Sequence, residues 1–362
     1  VGRLDVDEAR ERSSEETAVA CEISRAAAEL FLASDSLDLH IESFSFQRTF
    51  GYDLRQRHRL GWNRALLFGQ ADLPRLLELG LRGALFSLTA NPWLSAAQNL
   101  TNFPGLYERL RDTLERGGRA QFVTTASGYR SARKAGKLAA FLAIQGATLL
   151  GASGYPDVAR KLPLISVGLL HLTRTHLGSP STPRWLRAQS DALGLSPRAF
   201  ELMEDLLRER VFVDLAHLHP RGFWDAVRNT SREQPLIVTH SGVSGVYPHW
   251  RNLDDDMLRA IADRGGVVGL IYHSYYLGDR LLSGKLDTLV QHFVHAGKVI
   301  GRDKLALGSD WDGLICTPRD MKTCLDLPKL VEKLSRAHFS DSEIQGILGG
   351  NFLRALERLR GS

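Results

Sequence analysis

Two short β-branched, apolar runs, residues 211–215 and 236–238, each stop at a histidine, His217 and His240, about one strand–helix unit apart. A parallel sheet brings successive strand ends to one rim, so this spacing restricts the chain to folds in which both imidazoles reach the same edge. The rest of the chain repeats the arrangement. Residues 36–43 alternate apolar and polar, which places His40 and Glu42 on one side of a strand. Further expected strands cover 81–89, 137–146 ending on Gln145, 164–176 ending on His176, 265–273 ending on Tyr272 and His273, and 304–313 ending on Asp310 and Asp312. Eight strand ends, near residues 42, 89, 145, 176, 217, 240, 273 and 310, mostly separated by helical patterns, predict an α/β fold, a single closed (β/α)8 TIM-type barrel. A doubly wound open sheet is the runner-up, but no glycine fingerprint of the phosphate-binding type accompanies these strands.

Helical spacing of Val19, Ile23, Ala26, Ala27, Leu30 and Phe31 behind the capped start at Ser13 predicts an N-terminal helical extension over 1–35, with the barrel over 36–362. Residues 91–105, rich in Asn and Pro, read as loop before a helix over 106–116. A short additional strand is expected at 121–126, and helices at 197–210, 221–228, 253–264 and 286–299. Ser340 with Glu343 forms a capping box for a closing helix.

With 46 basic and 41 acidic residues scattered along 362, the net charge of +5 argues against a dedicated nucleic-acid surface. The densest basic stretch, Arg55, Arg57, His58, Arg59 and Arg64 beside Tyr52 and Trp62, reads as a solvated loop. Cys21, Cys316 and Cys324 are too few for a disulfide scaffold, although Cys316 and Cys324 remain a possible bridge in an oxidising compartment. No apolar run is long enough for a membrane span. The sequence begins at Val1, which leaves open both a cytoplasmic protein and an exported one with its leader removed.

A lone histidine at a strand end is usually a hydrogen-bonded core residue; four converging ends are a different matter. His40, Glu42, His217 and His240 together offer three imidazoles and a carboxylate, a ligand set that suits zinc. Asp310 is placed for proton transfer, Asp312 for orienting its loop, and His176 as an electrophile behind the metal ligands. His58, His171, His219, His249, His292, His295 and His338 have no nameable partner and read as surface or core residues.

These stretches carry a family resemblance. HIE at 40–42, HLTRTH at 171–176, VDLAH at 213–217, the block from 239 to 269, GSDWDG at 308–313 and ILGGNFLRAL at 347–356 run in the order of the membrane (renal) dipeptidase family, which the chain resembles. The resemblance implies a binuclear zinc centre in a (β/α)8 barrel, hydrolysis of dipeptides including some with a D-residue at the C-terminal position, and a homodimer. It places His40 and Glu42 on one zinc and His217 and His240 on the other. His176 would polarise the scissile carbonyl, Arg251 would pair with the substrate's free carboxylate, and Asp310 would pass a proton from the nucleophile to the leaving amine. His273, with Tyr272 adjacent, falls where the family has a substrate-contacting tyrosine.

Two departures stand out. The family's H-x-D is H-x-E here, one methylene longer, and Gln145 stands where the family has a glutamate bridging the two metals. A neutral amide cannot screen two dications about 3.5–4 Å apart as a carboxylate does. One or two zinc ions are therefore both open, and two alternatives accompany the dipeptidase reading. One is a non-catalytic or maturation protein that binds a peptide-like ligand at a degenerate metal site; the other is an amidohydrolase acting on a non-peptide amide or lactam. Asp310 favours an enzyme, because a binding-only descendant has no use for a proton shuttle.

Overall fold

The computed structural model describes residues 5–58, 67–91, 93–151, 155–183 and 194–361. Arg59, Trp62, Arg64, Arg184 and Trp185 lie outside the described residues. Among the described residues there are nine parallel strands: β1 Leu37–Ile41, β2 Gly83–Thr89, β3 Ala120–Phe122, β4 Leu138–Gln145, β5 Leu164–Gly168, β6 Phe212–Asp214, β7 Leu236–Ser241, β8 Val268–Leu270 and β9 Leu305–Leu307. Eight of them close a ring in the order β1, β2, β4, β5, β6, β7, β8, β9, with β9 paired back to β1. This is the (β/α)8 barrel. The short β3 stands outside the ring, paired to the first residues of β4 before β5 takes over that edge at Leu142.

The strands are apolar because both of their faces are covered. Every residue of β4, LAAFLAIQ, is buried. Leu37 and Leu39 of β1, Phe141 of β4, Phe212 of β6 and Ile237 of β7 share one cluster, which strands spaced around a closed ring can form only on its inside. Phe352 of the last helix, Asn351–Arg360, reaches this cluster, edge-on to Phe141 at 6.0 Å. A larger cluster fills the layer between the ring and the surrounding helices.

Several expected elements differ in detail. The N-terminal extension forms two helices, α1 Ser14–Cys21 and α2 Arg25–Ala33, because Glu22 takes a left-handed conformation (φ 56°) and Ser24 caps a new start. Residues 96–105 are helical, in one helix Ala96–Glu115 that carries Pro104 within it; Ser95 and Gln98 form a capping box that outweighs the loop-like composition. The strand expected over 164–176 stops at Gly168. The basic stretch is tied down where it is described: Arg57 pairs with Glu78 at 2.5 Å and His58 stacks on Tyr52. The three cysteines are buried and free. No described helix is long and apolar enough to cross a membrane.

Candidate metal centre

The C-terminal ends of the strands enclose a cavity of about 390 Å³, lined among others by Glu42, Gln145, His171, His217, Arg251 and Asp310. Its floor is a group of imidazoles. His40 is the last residue but one of β1, with its Nε2 3.4 Å from Glu42 Oε1 and 3.7 Å from Asp310 Oδ1, and among the described residues this buried nitrogen has no hydrogen-bond partner. The His40 and His240 rings lie 4.0 Å apart, and ligand atoms of His40, His240 and Asp310 all fall within 4.8 Å of one another. The expected grouping paired His217 with His240; in the structure His240 is shared, clustering with His40 and Asp310 on one side and meeting His217 on the other.

The hydrogen bonds around His240 and His217 determine where their lone pairs point. Thr239 Oγ1 donates to Asp214 Oδ2 at 2.5 Å, so it accepts from His240 Nδ1 at 2.9 Å. His240 Nε2 is then left as an acceptor directed into the site. His217 Nε2 receives the Gln145 amide at 2.8 Å and lies 2.8 Å from His240 Nε2. With the amide donating, the lone pair of His217 Nε2 is engaged by Gln145 while His240 Nε2 faces the same nitrogen without a proton between them, so a cation held there would take the place of the Gln145 contact. Burial, joined by the Arg251 charge, holds the proton affinity of both rings far below the ordinary histidine value, so both stay neutral and able to ligate. Gln145 Oε1 is buried without a partner. Neutral imidazoles, a carboxylate and unpartnered ligand atoms converge, and the residues fit zinc.

The carboxylates divide by environment. Burial opposes ionisation of Glu42, but His40 and the hydroxyls of Ser45 and Thr89, at 2.6 Å each, outweigh it and bring its pKa to about 2. Burial likewise opposes protonation of His40, and there Glu42 and Asp310 prevail, raising it. For Asp310 burial wins over His40, and Glu42 adds to it, so the carboxyl is pushed up to about 7. In that triad Glu42 carries the negative charge, and Asp310 is the carboxyl that burial holds closest to neutrality. Asp312 is occupied: it accepts from Ser43 Oγ and from the Gln70 amide at 2.7 Å, fixing the loop after β9.

Four functional candidates share one position. His171, His217, His273 and Asp310 each lie three residues beyond the last residue of β5, β6, β8 and β9. His217, Asp310 and Asp312 take positive φ values of 67°, 63° and 62°, a conformation uncommon for residues other than glycine and concentrated at functional sites.

That regularity explains which histidine enters the cavity. His176 is exposed and is not among the cavity-lining residues: β5 ends at Gly168, and the turn closed by the Thr175–Gly178 bridge leaves Thr175 at the cavity and His176 at the surface. His171 lines the cavity instead, perpendicular to His217 at 4.8 Å, and burial lowers its pKa to about 4. Strand length was the available signal: a strand of ordinary length starting at Leu164 cannot reach residue 176. Tyr272 is fully buried against Trp311 and does not line the cavity. Tyr276, one helical turn later in the short helix Ser274–Leu277, does, with its ring 4.4 Å from His273. His273 itself lines the cavity, its Nδ1 accepting the Cys316 amide at 3.0 Å.

Arg251 is 4% exposed. Its Nη2 donates to the His240 carbonyl at 3.0 Å, its Nε has no partner, and among the described residues it makes no salt bridge. A buried guanidinium without a carboxylate among the described residues, at the wall of a cavity, has the chemistry to pair with an anion.

The sequence matches the model of the membrane dipeptidase family, peptidase family M19, over residues 25–360. The chain belongs to the membrane dipeptidase family. A protein of Klebsiella pneumoniae, described as an uncharacterized protein in the pqqA 5′ region, is 29% identical over 218 residues, covering 58% of this chain and 79% of that protein. The structure resembles the M19 metallopeptidase called dipeptidase AC, with a TM-score of 0.77 and 26% identity over 91% of this chain and 99% of that one. Two further neighbours share the fold. One is a Rhodobacter sphaeroides metallopeptidase liganded with a phosphinate mimic of L-Ala-D-Ala, at 24% identity and TM-score 0.76, covering 90% and 99% of the two chains. The other is the probable dipeptidase PvdM of Pseudomonas aeruginosa, at 19% and 0.79, covering 93% and 98%. As a member of this family the chain is a dipeptidase-type metallopeptidase.

Proposed function

We propose that the chain is a zinc-dependent dipeptidase that cleaves dipeptides with a free C-terminal carboxylate, those with a D-residue at that position included. The observation that carries this reading is the meeting of the His217 and His240 ring nitrogens, 2.8 Å apart, at a cavity whose wall holds the Arg251 guanidinium, which has no carboxylate partner among the described residues. Zinc, when held by His40, Glu42, His217 and His240, supplies Lewis acidity toward the scissile carbonyl and toward water.

The chain's own residues do the remainder. Arg251 binds the substrate's terminal carboxylate and so fixes which end of the dipeptide faces the floor. His171, kept neutral by burial, turns a ring N–H toward the carbonyl oxygen and steadies the charge that develops there, the role expected at first of His176. Asp310, with a pKa near 7, accepts a proton as water attacks and returns it to the departing amine. His273 and Tyr276 wall the cavity beside Arg251.

Elemental analysis of the purified protein, with a panel of L-L and L-D dipeptides, tests this reading. Zinc at one or two ions per chain with turnover supports it; metal-free protein that remains inactive after zinc loading overturns it. Gln145 favours a second reading, in which the barrel mouth binds a peptide-like molecule without cleaving it, because its amide occupies the His217 nitrogen. Hydrolysis of blocked or cyclic amides, but not of free dipeptides, would point instead to an amidohydrolase of non-peptide amides. The homodimer implied by the family resemblance is tested by light scattering in solution.

A further inference from the structure

A second cation lines the cavity. Arg48, on α3 (Ser43–Phe50), directs Nη1 to the carbonyl of Thr89, the last residue of β2, at 2.6 Å. Among the described residues it makes no salt bridge within 4.0 Å, although it is half-buried. Glu42 attracts it only at longer range, its own oxygens accepting from Ser45 and Thr89 and facing His40 at 3.4 Å. Arg48 also forms the wall of an adjoining cavity of about 500 Å³, where Arg109, Asn91, Asn99, Thr101 and Asn102 join it and no acidic side chain is among the described lining. Of these, Asn99 is committed to the backbone of residues 91, 94 and 95. The two arginines are the cations, and neither has a carboxylate partner among the described residues.

The topology sets where Arg48 stands relative to Arg251. Around the ring, β2 and β7 are four strands apart, on opposite sides of the mouth. Arg48 is anchored at the end of β2, Arg251 follows β7, and His40, His240 and Asp310 lie between them in the floor. We propose that Arg48 is an anion subsite that selects dipeptides whose amino-terminal residue bears a carboxylate side chain. Its orientation rests on the dipeptidase reading: with the terminal carboxylate on Arg251 and the scissile bond over the floor, the amino-terminal side chain points to β2 and Arg48. The adjoining cavity gives a longer acidic side chain room to extend.

The test compares Glu-Ala with Gln-Ala, which match in size and differ in charge. Dissociation constants of their non-hydrolysable phosphinate analogues are measured by calorimetry, and hydrolysis of the dipeptides themselves is measured separately. The expected result is a preference of about tenfold or more for the Glu analogue, as a charge-assisted hydrogen bond gives. That ratio falls toward one in Arg48→Gln and is kept in Arg48→Lys; thermal melting establishes that both variants fold. Equal dissociation constants for the two analogues in the unmodified protein, binding of neither, or an unchanged ratio in Arg48→Gln overturns the subsite. A retained preference without turnover of either dipeptide sustains the subsite and counts against hydrolysis. Turnover of both with no preference does the reverse.

Discussion

His217 Nε2 and His240 Nε2 stand 2.8 Å apart, and the bonds from Gln145 and Thr239 leave no proton for the space between them. Two acceptor nitrogens so placed repel unless a cation comes between them, so metal binding and stability are expected to be linked. Zinc added at a hundredfold excess over its dissociation constant is expected to stabilise the fold by about 2.7 kcal/mol. Thermal melting with and without chelator measures this, and identical melting temperatures would show that no ion binds the folded state selectively.

Gln145 is expected to govern how many ions are held. Its amide donates to His217, and its Oε1 has no partner. Gln145→Glu replaces the donor with a charged acceptor and is expected to raise the zinc content per chain, as measured by inductively coupled plasma mass spectrometry. Unchanged occupancy would assign the limit to geometry rather than charge.

His171 and His176 separate under substitution. His171→Ala should lower kcat by about a hundredfold or more with the KM little altered, as removal of a group that steadies an oxyanion does. His176→Ala, at an exposed position, should leave kcat/KM where it was. Steady-state kinetics on one good dipeptide distinguishes the two, and the opposite ranking would return the role to His176.

Arg251→Met should cost about 2 kcal/mol or more in kcat/KM for free dipeptides, roughly thirtyfold, by removing a buried charged partner. It should cost far less for the same dipeptides amidated at the C-terminus. Equal losses on both substrates would mean that Arg251 supports the fold instead of the carboxylate.

His292 makes stability depend on pH away from the metal ligands. It is fully buried, accepts the Val243 amide at Nδ1 and donates from Nε2 to the Leu277 carbonyl, each at 3.0 Å. Burial lowers its pKa to about 4, from about 6.5 in the unfolded chain. The unfolded state therefore binds the proton first. The stability His292 contributes is complete above pH 6.5 and is lost as pH falls toward 4, amounting to about 2 kcal/mol by pH 5. Denaturant unfolding of His292→Gln, which can keep both hydrogen bonds, should show a shallower decline between pH 7 and 5 than the unmodified chain.

The barrel was legible because burial on both faces leaves each strand an unbroken apolar run with a helical pattern behind it. His40, Gln145 and His240 were legible for the same reason, since each lies within or at the end of its strand. His171 and Tyr276 were not. His171 stands in the irregular chain beyond β5 and Tyr276 in a helix of four residues beyond β8, both too short of period for composition to mark, and there the expected strand was simply drawn too long. The common interval of three residues past β5, β6, β8 and β9 emerges only once the strand ends are fixed by their pairing. Residues 96–105 were misread for a different reason, because a capping box of two side chains decided a segment whose Asn and Pro content suggested a loop.

The most direct test is release of free amino acids from L-L and L-D dipeptides by one preparation in three states: as purified, chelator-treated and reloaded with zinc. The expected result is turnover that chelation abolishes and zinc restores. Folded, zinc-loaded protein that cleaves no dipeptide in the panel would contradict it.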